Sequence, residues 1–308
     1  MAMKRKSIFI KIYDLLKMTV NEFLEDNAMK LSASLSYYTI FSLPPLIIII
    51  ISLAGLFFGE EAVRGEFFGQ INGLVGNDAA FQIQEAIKNV EVSSDNKFAM
   101  TIGIIMLLIG ASSVFAEIQT SINYIWGFKA KPDKGLRKFI QNRLMSFSMI
   151  ISVGFLLLVS LILNTLMDVL NKRLLLYFHE GTVYLFYGLN LFIVFLIITA
   201  LFSLIFKTLP DGKIGMKDSL IGAGVTSLFF MLGKFGIGAY IGSSTVASVY
   251  GAAGSVIVIL VWVYYSAIIL YFGAEFTKVY AHTYGKKIIP NKYSVEIIKP
   301  TIVEKQKE

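Results

Sequence analysis

The segment 31-LSASLSYYTIFSLPPLIIIIISLAGLFF-58 carries no charged side chain from end to end. An α-helix rises about 1.5 Å per residue and the hydrocarbon core of a bilayer is about 30 Å thick, so a stretch of this length crosses it. Pro44 and Pro45 cannot donate backbone hydrogen bonds to Ile40 and Phe41. We therefore predict a first transmembrane helix that is broken at the proline pair, with the break facing protein or a wet cavity.

Five further stretches share the length and apolar character of the first. Only 16% of the chain is charged and 56% is hydrophobic, whereas soluble domains are about 25% charged. This composition excludes an ordinary soluble domain and indicates an all-α, polytopic membrane helix bundle. Its six transmembrane helices are predicted at residues 31–58, 98–126, 144–168, 182–206, 217–240 and 250–278.

The distribution of basic residues predicts the orientation of the bundle. Most of the 28 Lys and Arg fall before the first span, in the second and fourth loops, and after the sixth span. The opposite loops hold only Arg64, Lys88, Lys97, Lys172 and Arg173. Because basic loops stay in the cytoplasm, we predict a multi-pass protein of the bacterial inner membrane with both termini cytoplasmic.

Residue usage also restricts the chemistry. The chain has no Cys and two His, so disulfides and thiolate metal sites are excluded, and no motif indicates a hydrolase. We expect no catalytic residue, no metal and no cofactor. The net charge of +7 is explained by the cytoplasmic loops, so nucleic acid is not an expected partner. The expected partner is the lipid bilayer, and a homo-oligomer is left open.

Three segments flank or interrupt the spans. Residues 7–26, within a first region of residues 1–30, show the spacing of an amphipathic helix lying in the cytoplasmic interface, with partner binding as the alternative. Loop 59–97 predicts short extracytoplasmic helices that act as a packing cap or as a gate. The membrane domain, 31–282, is followed by a polar tail, 283–308, that we expect to be flexible.

Polar side chains concentrate before the proline pair and toward the cytoplasmic end of the second span. Broken helices near the bilayer midplane recur at transporter substrate sites, which makes these side chains pathway candidates. A simple proline kink is the alternative. The candidates are Ser36, Tyr37, Tyr38, Ser42, Pro44, Pro45, Glu117 and Asn123.

An ionisable residue inside a span costs free energy, so it is expected to have a function or a charged partner. Glu117, Glu275 and Arg143 are all predicted near the cytoplasmic side and could form one polar cluster. Such a cluster either belongs to a substrate path or is an ion pair that sets helix register. Lys234 is predicted in the outer third of the fifth span, which is too far from Glu275 for direct pairing. It either snorkels outward or lines a cavity that accepts an anionic group.

The link 242-GSSTVASVYGAAGS-255 joins the fifth and sixth spans and has no charge. Tyr250, another pathway candidate, is its only large side chain. Small residues let helix backbones approach each other closely. We therefore predict a close-packing seam at the outer mouth, formed by Gly242, Gly251, Ala252, Ala253 and Gly254.

These motifs resemble the YihY/BrkB family of bacterial inner-membrane proteins. The matching stretches run in order over most of residues 28–282, and they include LSASLSYYTIFSLPPL, GASSVFAEIQTSINYIWG, TLPDGKIGMKDSLIGA and ASVYGAAGSVIVILVWVYYSAIILYFGAEFTKVYA. The resemblance implies six membrane spans whose anchoring residues lie on the cytoplasmic side, and it implies a transport role. The family has also been labelled ribonuclease BN. This sequence does not support that activity, because it has no metal-ligand cluster and no aromatic platform for stacking bases.

Two functions from different classes remain after this reasoning. The leading hypothesis is an inner-membrane transporter of a lipid-like or other amphipathic anion, motivated by the broken first span and the intramembrane Glu117, Lys234 and Glu275. The alternative is a non-transporting envelope scaffold that holds partners with its amino-terminal helix and outer loop.

Overall fold

The computed structural model describes residues 8–59, 97–130, 180–243, 254–292 and 294–297, with isolated positions in 61–84 and 144–152. This part of the chain is mostly helical. Its helices are α1 (Ile8–Glu25), α2 (Ala28–Phe58), α3 (Lys97–Ile125), α4 (Glu180–Thr208), α5 (Met216–Ser243) and α6 (Gly254–Thr283). Its strands are β1 (Phe128–Ala130), β2 (Gly212–Lys213), β3 (Ile289–Pro290) and β4 (Ser294–Glu296).

Five of the helices coincide with predicted spans, namely α2 to α6 with the first, second, fourth, fifth and sixth. In the described part of the chain, Gly188–Thr208 and Val256–Thr283 are long and apolar enough to cross a membrane, judged by length and composition. The predicted third span, 144–168, and the predicted helices of loop 59–97 lie almost wholly outside the described residues.

The amphipathic amino-terminal helix is confirmed as α1, and it packs against α6. Leu15 is buried with Phe276 and Val279 of α6. A tight turn joins α1 to α2, with Asn27 in the left-handed region at φ 53°, a conformation that Asn adopts more readily than most residues. Phe23 of α1 is buried as well, whereas other apolar side chains of α1 stay exposed, including Phe9, Tyr13, Val20 and Leu24.

The prediction of a broken first helix is wrong, since α2 continues through Pro44 and Pro45. Proline is tolerated within membrane helices where neighbouring helices and hydroxyl side chains satisfy the local backbone. Here Ser42 Oγ donates to the Tyr38 carbonyl at 2.8 Å. Gly110 of α3 provides room for the ring: a Cβ at Gly110 would lie 3.0 Å from Pro45 Cγ. The proline pair is therefore accommodated by close packing of α3.

The helices form one connected apolar core. α2 lies along α3 and α6, α4 packs on α5, and α5 packs on α6. The core is filled from α2, α3, α4 and α6, with buried members that include Leu35, Ala111, Phe115, Ile122, Phe206, Tyr271 and Ala274. A bundle of this kind places any polar residue of α2, α3 or α6 between helices or against lipid.

Glycines allow α5 and α6 to approach each other closely at two reciprocal positions. A Cβ on Gly222 of α5 would clash with Thr277 of α6, and a Cβ on Gly273 of α6 would clash with Thr226 of α5. This α5–α6 glycine seam lies deeper in the bundle than the seam predicted at the outer mouth. Of the predicted seam, Gly242 is in the last turn of α5 and Gly254 begins α6. The other members, Gly251, Ala252 and Ala253, lie outside the described residues, as does Tyr250.

The tail, for which flexibility remains a prediction, forms two short strand pairs before residue 297. β4 pairs antiparallel with β1, placing Phe128 opposite Glu296. β3 pairs antiparallel with β2, placing Gly212 opposite Pro290. Backbone hydrogen bonding to two loops holds this polar segment in place, although its strands have only two and three residues. Residues beyond 297 lie outside the described part.

Candidate functional site

One face of α3 carries a polar stripe into the bundle. Ser113, Glu117 and Ser121 are spaced four residues apart, so they lie above one another on the helix. Ser42 Oγ of α2 lies 2.6 Å from Ser113 Oγ, and Ser34 Oγ of α2 donates to Glu117 Oε1 at 2.6 Å. The stripe is therefore the polar part of the α2–α3 interface.

Tyr271 of α6 borders the same stripe. Its side chain is fully buried, and its hydroxyl lies near Ser121 and Glu117. Among the described residues no group forms a hydrogen bond of normal geometry with this hydroxyl. A buried hydroxyl without a hydrogen bond of normal geometry carries a free-energy cost, which a hydrogen bond to a water molecule or a ligand would remove. We define the α2–α3–α6 polar stripe as Ser34, Ser42, Ser113, Glu117, Ser121 and Tyr271.

The structure divides the candidates of the first span between two environments. Ser36 and Ser42 are buried, and the Ser36 hydroxyl donates to the Ser32 carbonyl at 3.0 Å. Tyr37 is 61% exposed and Tyr38 is also exposed, so both point away from the described bundle. Pro45 packs on α3 as described above, whereas nothing is described for the ring of Pro44.

A second polar cluster surrounds the Lys278 ammonium near the carboxyl-terminal end of α6. Its Nζ lies 2.8 Å from Glu275 Oε2, 2.8 Å from Glu22 Oε2 and 3.4 Å from Asp26 Oδ2. It also donates to the Ile125 carbonyl at 2.9 Å. This Lys278 cluster joins α1, the end of α3 and α6. The three carboxylates place oxygens within 4.8 Å of one another, a spacing that could hold a metal ion, but the ammonium already occupies the centre.

The predicted single cluster of Glu117, Glu275 and Arg143 does not correspond to the described contacts. Glu117 bonds to Ser34 of α2, whereas Glu275 is ion-paired with Lys278, three residues along its own helix. Arg143 lies outside the described residues, and so does the side chain of Lys234. The reason is local: Lys278 lies three residues along the same helix, a spacing that brings its charge to Glu275.

A third polar site is built around Asp211, which precedes β2. Asp211 is buried between α4 and β2 and accepts hydrogen bonds from Asn123 Nδ2 at 3.0 Å and Asn291 Nδ2 at 3.3 Å. Its backbone N–H donates to Asn123 Oδ1 at 2.7 Å. Its carbonyl accepts from Ser294 Oγ at 2.7 Å. Asn123, predicted as a pathway residue, therefore anchors the tail to α3.

Replacing Asp211 with Asn should loosen the tail. The new amide would present donors where Asn123 and Asn291 also donate, leaving buried donors without acceptors at about 1–3 kcal/mol. Limited proteolysis should then cleave residues 284–297 faster than in the unmodified protein. Glu296→Gln, which changes an exposed carboxylate of the same segment, is the control. Equal cleavage rates in both variants would contradict an anchoring role for Asp211.

Comparison with known proteins agrees with the membrane assignment. The family model described as Virulence factor BrkB matches residues 19–295. A UPF0761 membrane protein of Saccharophagus degradans is 28% identical over 273 residues, 85% of this chain and 59% of its own length. A UPF0761 membrane protein of Mannheimia succiniciproducens is 26% identical over 264 residues, 83% of this chain and 86% of its own length.

The chain thus spans under two thirds of the length of the Saccharophagus relative. No solved structure matches the chain. The relatives are named as membrane proteins, and the family match covers α2 to α6 together with the last part of α1 and nearly all of the paired tail. The sequence resemblance is thereby confirmed: the chain belongs to the Virulence factor BrkB family of membrane proteins.

Proposed function

We propose that this protein is a transporter of the bacterial inner membrane that moves a lipid-like or other amphipathic anion. The proposal includes six spans, cytoplasmic termini and no catalytic step. The basic residues of the loops support the orientation. The exposed apolar residues of α1, among them Phe9, Tyr13 and Val20, support an interfacial position for that helix at the cytoplasmic surface.

The observation that carries the proposal is the α2–α3–α6 polar stripe. It places the Glu117 carboxylate and the Tyr271 hydroxyl between three helices whose other side chains are largely apolar. A carboxylate within a span is expensive, and such residues mark substrate or ion pathways in membrane proteins. Because Ser34 holds Glu117 by a single described hydrogen bond, the group can exchange that contact for a proton or for a hydrogen-bond donor of a passing ligand.

The preference for an anion rests on Lys234, a cation within the fifth span in the sequence. A cation inside a span attracts a negatively charged head group, while the exposed apolar surfaces of α2 and α4 suit an acyl chain. An amphipathic anion has both a negatively charged head group and an apolar chain.

Neutralising Glu117 should reduce transport. The probe is a fluorescent anionic phospholipid in proteoliposomes, and its passage between leaflets is measured by chemical quenching of the outer leaflet. Glu117→Gln keeps the shape but weakens the contact with Ser34, so we expect a slowing of about tenfold. Thr120→Ala, on the exposed side of α3, should transport like the unmodified protein.

The outcomes separate the functions. No phospholipid movement by the unmodified protein would overturn the lipid transporter. If a partner then purified with it in stoichiometric amount, the envelope scaffold would replace it. Unchanged movement in Glu117→Gln would remove Glu117 from the pathway.

A further inference from the structure

Glu275 is a buried acid whose carboxylate oxygens accept no hydrogen bond of normal geometry from the described part of the chain. Its side chain is 0% exposed, and its Oε2 forms an ion pair with Lys278 Nζ at 2.8 Å. An ionised carboxylate in such a place loses its hydration without full replacement, and this disfavours the charged form. A proton on Oε1 removes that penalty.

The Lys278 ammonium does not supply the missing hydrogen bond. Four acceptors lie within 3.4 Å of its Nζ: Glu275 Oε2, Glu22 Oε2, Asp26 Oδ2 and the Ile125 carbonyl. Its described hydrogen bonds go to Asp26 Oδ2 and the Ile125 carbonyl, and it contacts Glu275 as an ion pair through Oε2. Glu275 Oε1 therefore receives no hydrogen bond from Lys278.

The charged groups facing Glu275 come from two elements. Lys278 lies on α6 itself, and Glu22 and Asp26 come from α1 and the turn after it. From α3 the contribution is the Ile125 carbonyl and the Trp126 indole, whose N–H donates to the Ala274 carbonyl at 3.1 Å. The ion pairs beside Glu275 in the described part of the chain are those of Lys278 with Glu22, Asp26 and Glu275 itself.

We propose that Glu275 binds a proton and donates it as a hydrogen bond to the Asp26 carboxylate. The carboxylate oxygens of the two residues lie within 4.8 Å of each other, and a protonated carboxyl is a donor that an ionised neighbour accepts well. The pair then carries one negative charge, which Lys278 balances. Glu22, whose side chain is 42% exposed, connects this proton site to the cytoplasmic solvent.

This proton site does not depend on the proposed transport. It follows from the packing of α1 against α6, and it would exist in a scaffold as well as in a transporter. Its test therefore uses the purified full chain in lipid nanodiscs without any cargo.

The experiment is infrared spectroscopy of the C=O stretch of protonated carboxyl groups at neutral pH. We expect a band that disappears in Glu275→Gln, shifts in frequency in Asp26→Asn, and is unchanged in Glu25→Gln, which alters an exposed carboxylate one residue from Asp26. Circular dichroism confirms that each variant is folded. If Glu275→Gln does not fold, the frequency shift in Asp26→Asn tests the site by itself.

Two results would overturn the proposal. One is a band that is absent from the unmodified protein or insensitive to both Glu275→Gln and Asp26→Asn. The other is Mn²⁺ binding, detected by electron paramagnetic resonance, that is lost in Glu275→Gln. That result would assign the carboxylates to a metal ion in place of the proton.

Discussion

Replacing Lys278 with Met should destabilise the protein more than any other single substitution of a basic residue in its described part. Lys278 is buried, and its ammonium is shared by Glu22, Asp26 and Glu275. Removing one partner of a buried ion pair leaves uncompensated charge behind and costs about 3–5 kcal/mol. Met keeps most of the side-chain volume of Lys, so the lost stability is due to the missing charge rather than to a cavity.

The measurement is unfolding of the purified protein in detergent, followed by circular dichroism. The matched control is Lys287→Met. Lys287 also pairs with a carboxylate, Glu296 at 3.1 Å, but the two side chains are 63% and 58% exposed. An exposed pair of this kind contributes about 1 kcal/mol or less. Similar losses in the two lysine variants would show that the Lys278 cluster is solvated.

A double variant tests the mechanism of the loss. In Lys278→Met combined with Asp26→Asn, the acid left without its counter-ion becomes neutral, so part of the lost stability should return. Without such recovery, the destabilisation would come from packing of the lysine stem between α1 and α6. α1 should detach in the single variant, because Lys278 holds both Glu22 and Asp26.

The sequence predicts the helices of this protein well for a physical reason. Long apolar runs such as that of α2 have no alternative in a membrane, because only a helix satisfies every backbone group within one segment. The helical spacing of Leu15 and Phe23 likewise predicts α1, and both side chains are buried. The effect of Pro44 and Pro45 was misjudged because it depends on the space that Gly110 leaves, which is a property of another helix.

Polar partners are harder to predict, because pairing depends on the relative depth and rotation of helices. Glu117 and Glu275 were identified from their position inside spans, but their partners, Ser34 and Lys278, were not. Lys278 resembled one more basic anchor at a cytoplasmic helix end. One signal was present: Glu275 and Lys278 are three residues apart, a spacing that brings opposite charges together on a helix.

The periodicity of apolar residues does not predict the pairing of the tail or the Asp211 site. Strands of two or three residues are too short for an alternating pattern, so the pairing of β1 to β4 has no sequence signal. Asp211 follows Pro210 in a polar turn, and turns are usually solvated. Its burial results from the returning tail, whose Asn291 and Ser294 contact it.

Replacing Gly222 with Ala should weaken the packing of α5 on α6, whereas replacing Gly224 with Ala should not. The added Cβ at Gly222 meets Thr277 closely enough that one helix must move, whereas a Cβ at Gly224 meets nothing within 4 Å. Overpacking of this kind costs about 1–3 kcal/mol. At Gly224 the exchange should instead stabilise the helix by up to about 1 kcal/mol, since Ala favours helix more than Gly does.

The two variants differ by two positions on one helix and carry the same chemical change, so opposite signs in thermal unfolding would identify the α5–α6 glycine seam as the cause. Adding Thr277→Ala to Gly222→Ala removes the hydroxyl and methyl that the new Cβ meets, and stability should partly return. Gly273→Ala with Thr226→Ala should behave in the same way, because the seam is reciprocal. Equal effects at Gly222 and Gly224 would mean that α5 and α6 do not approach each other this closely in the bilayer.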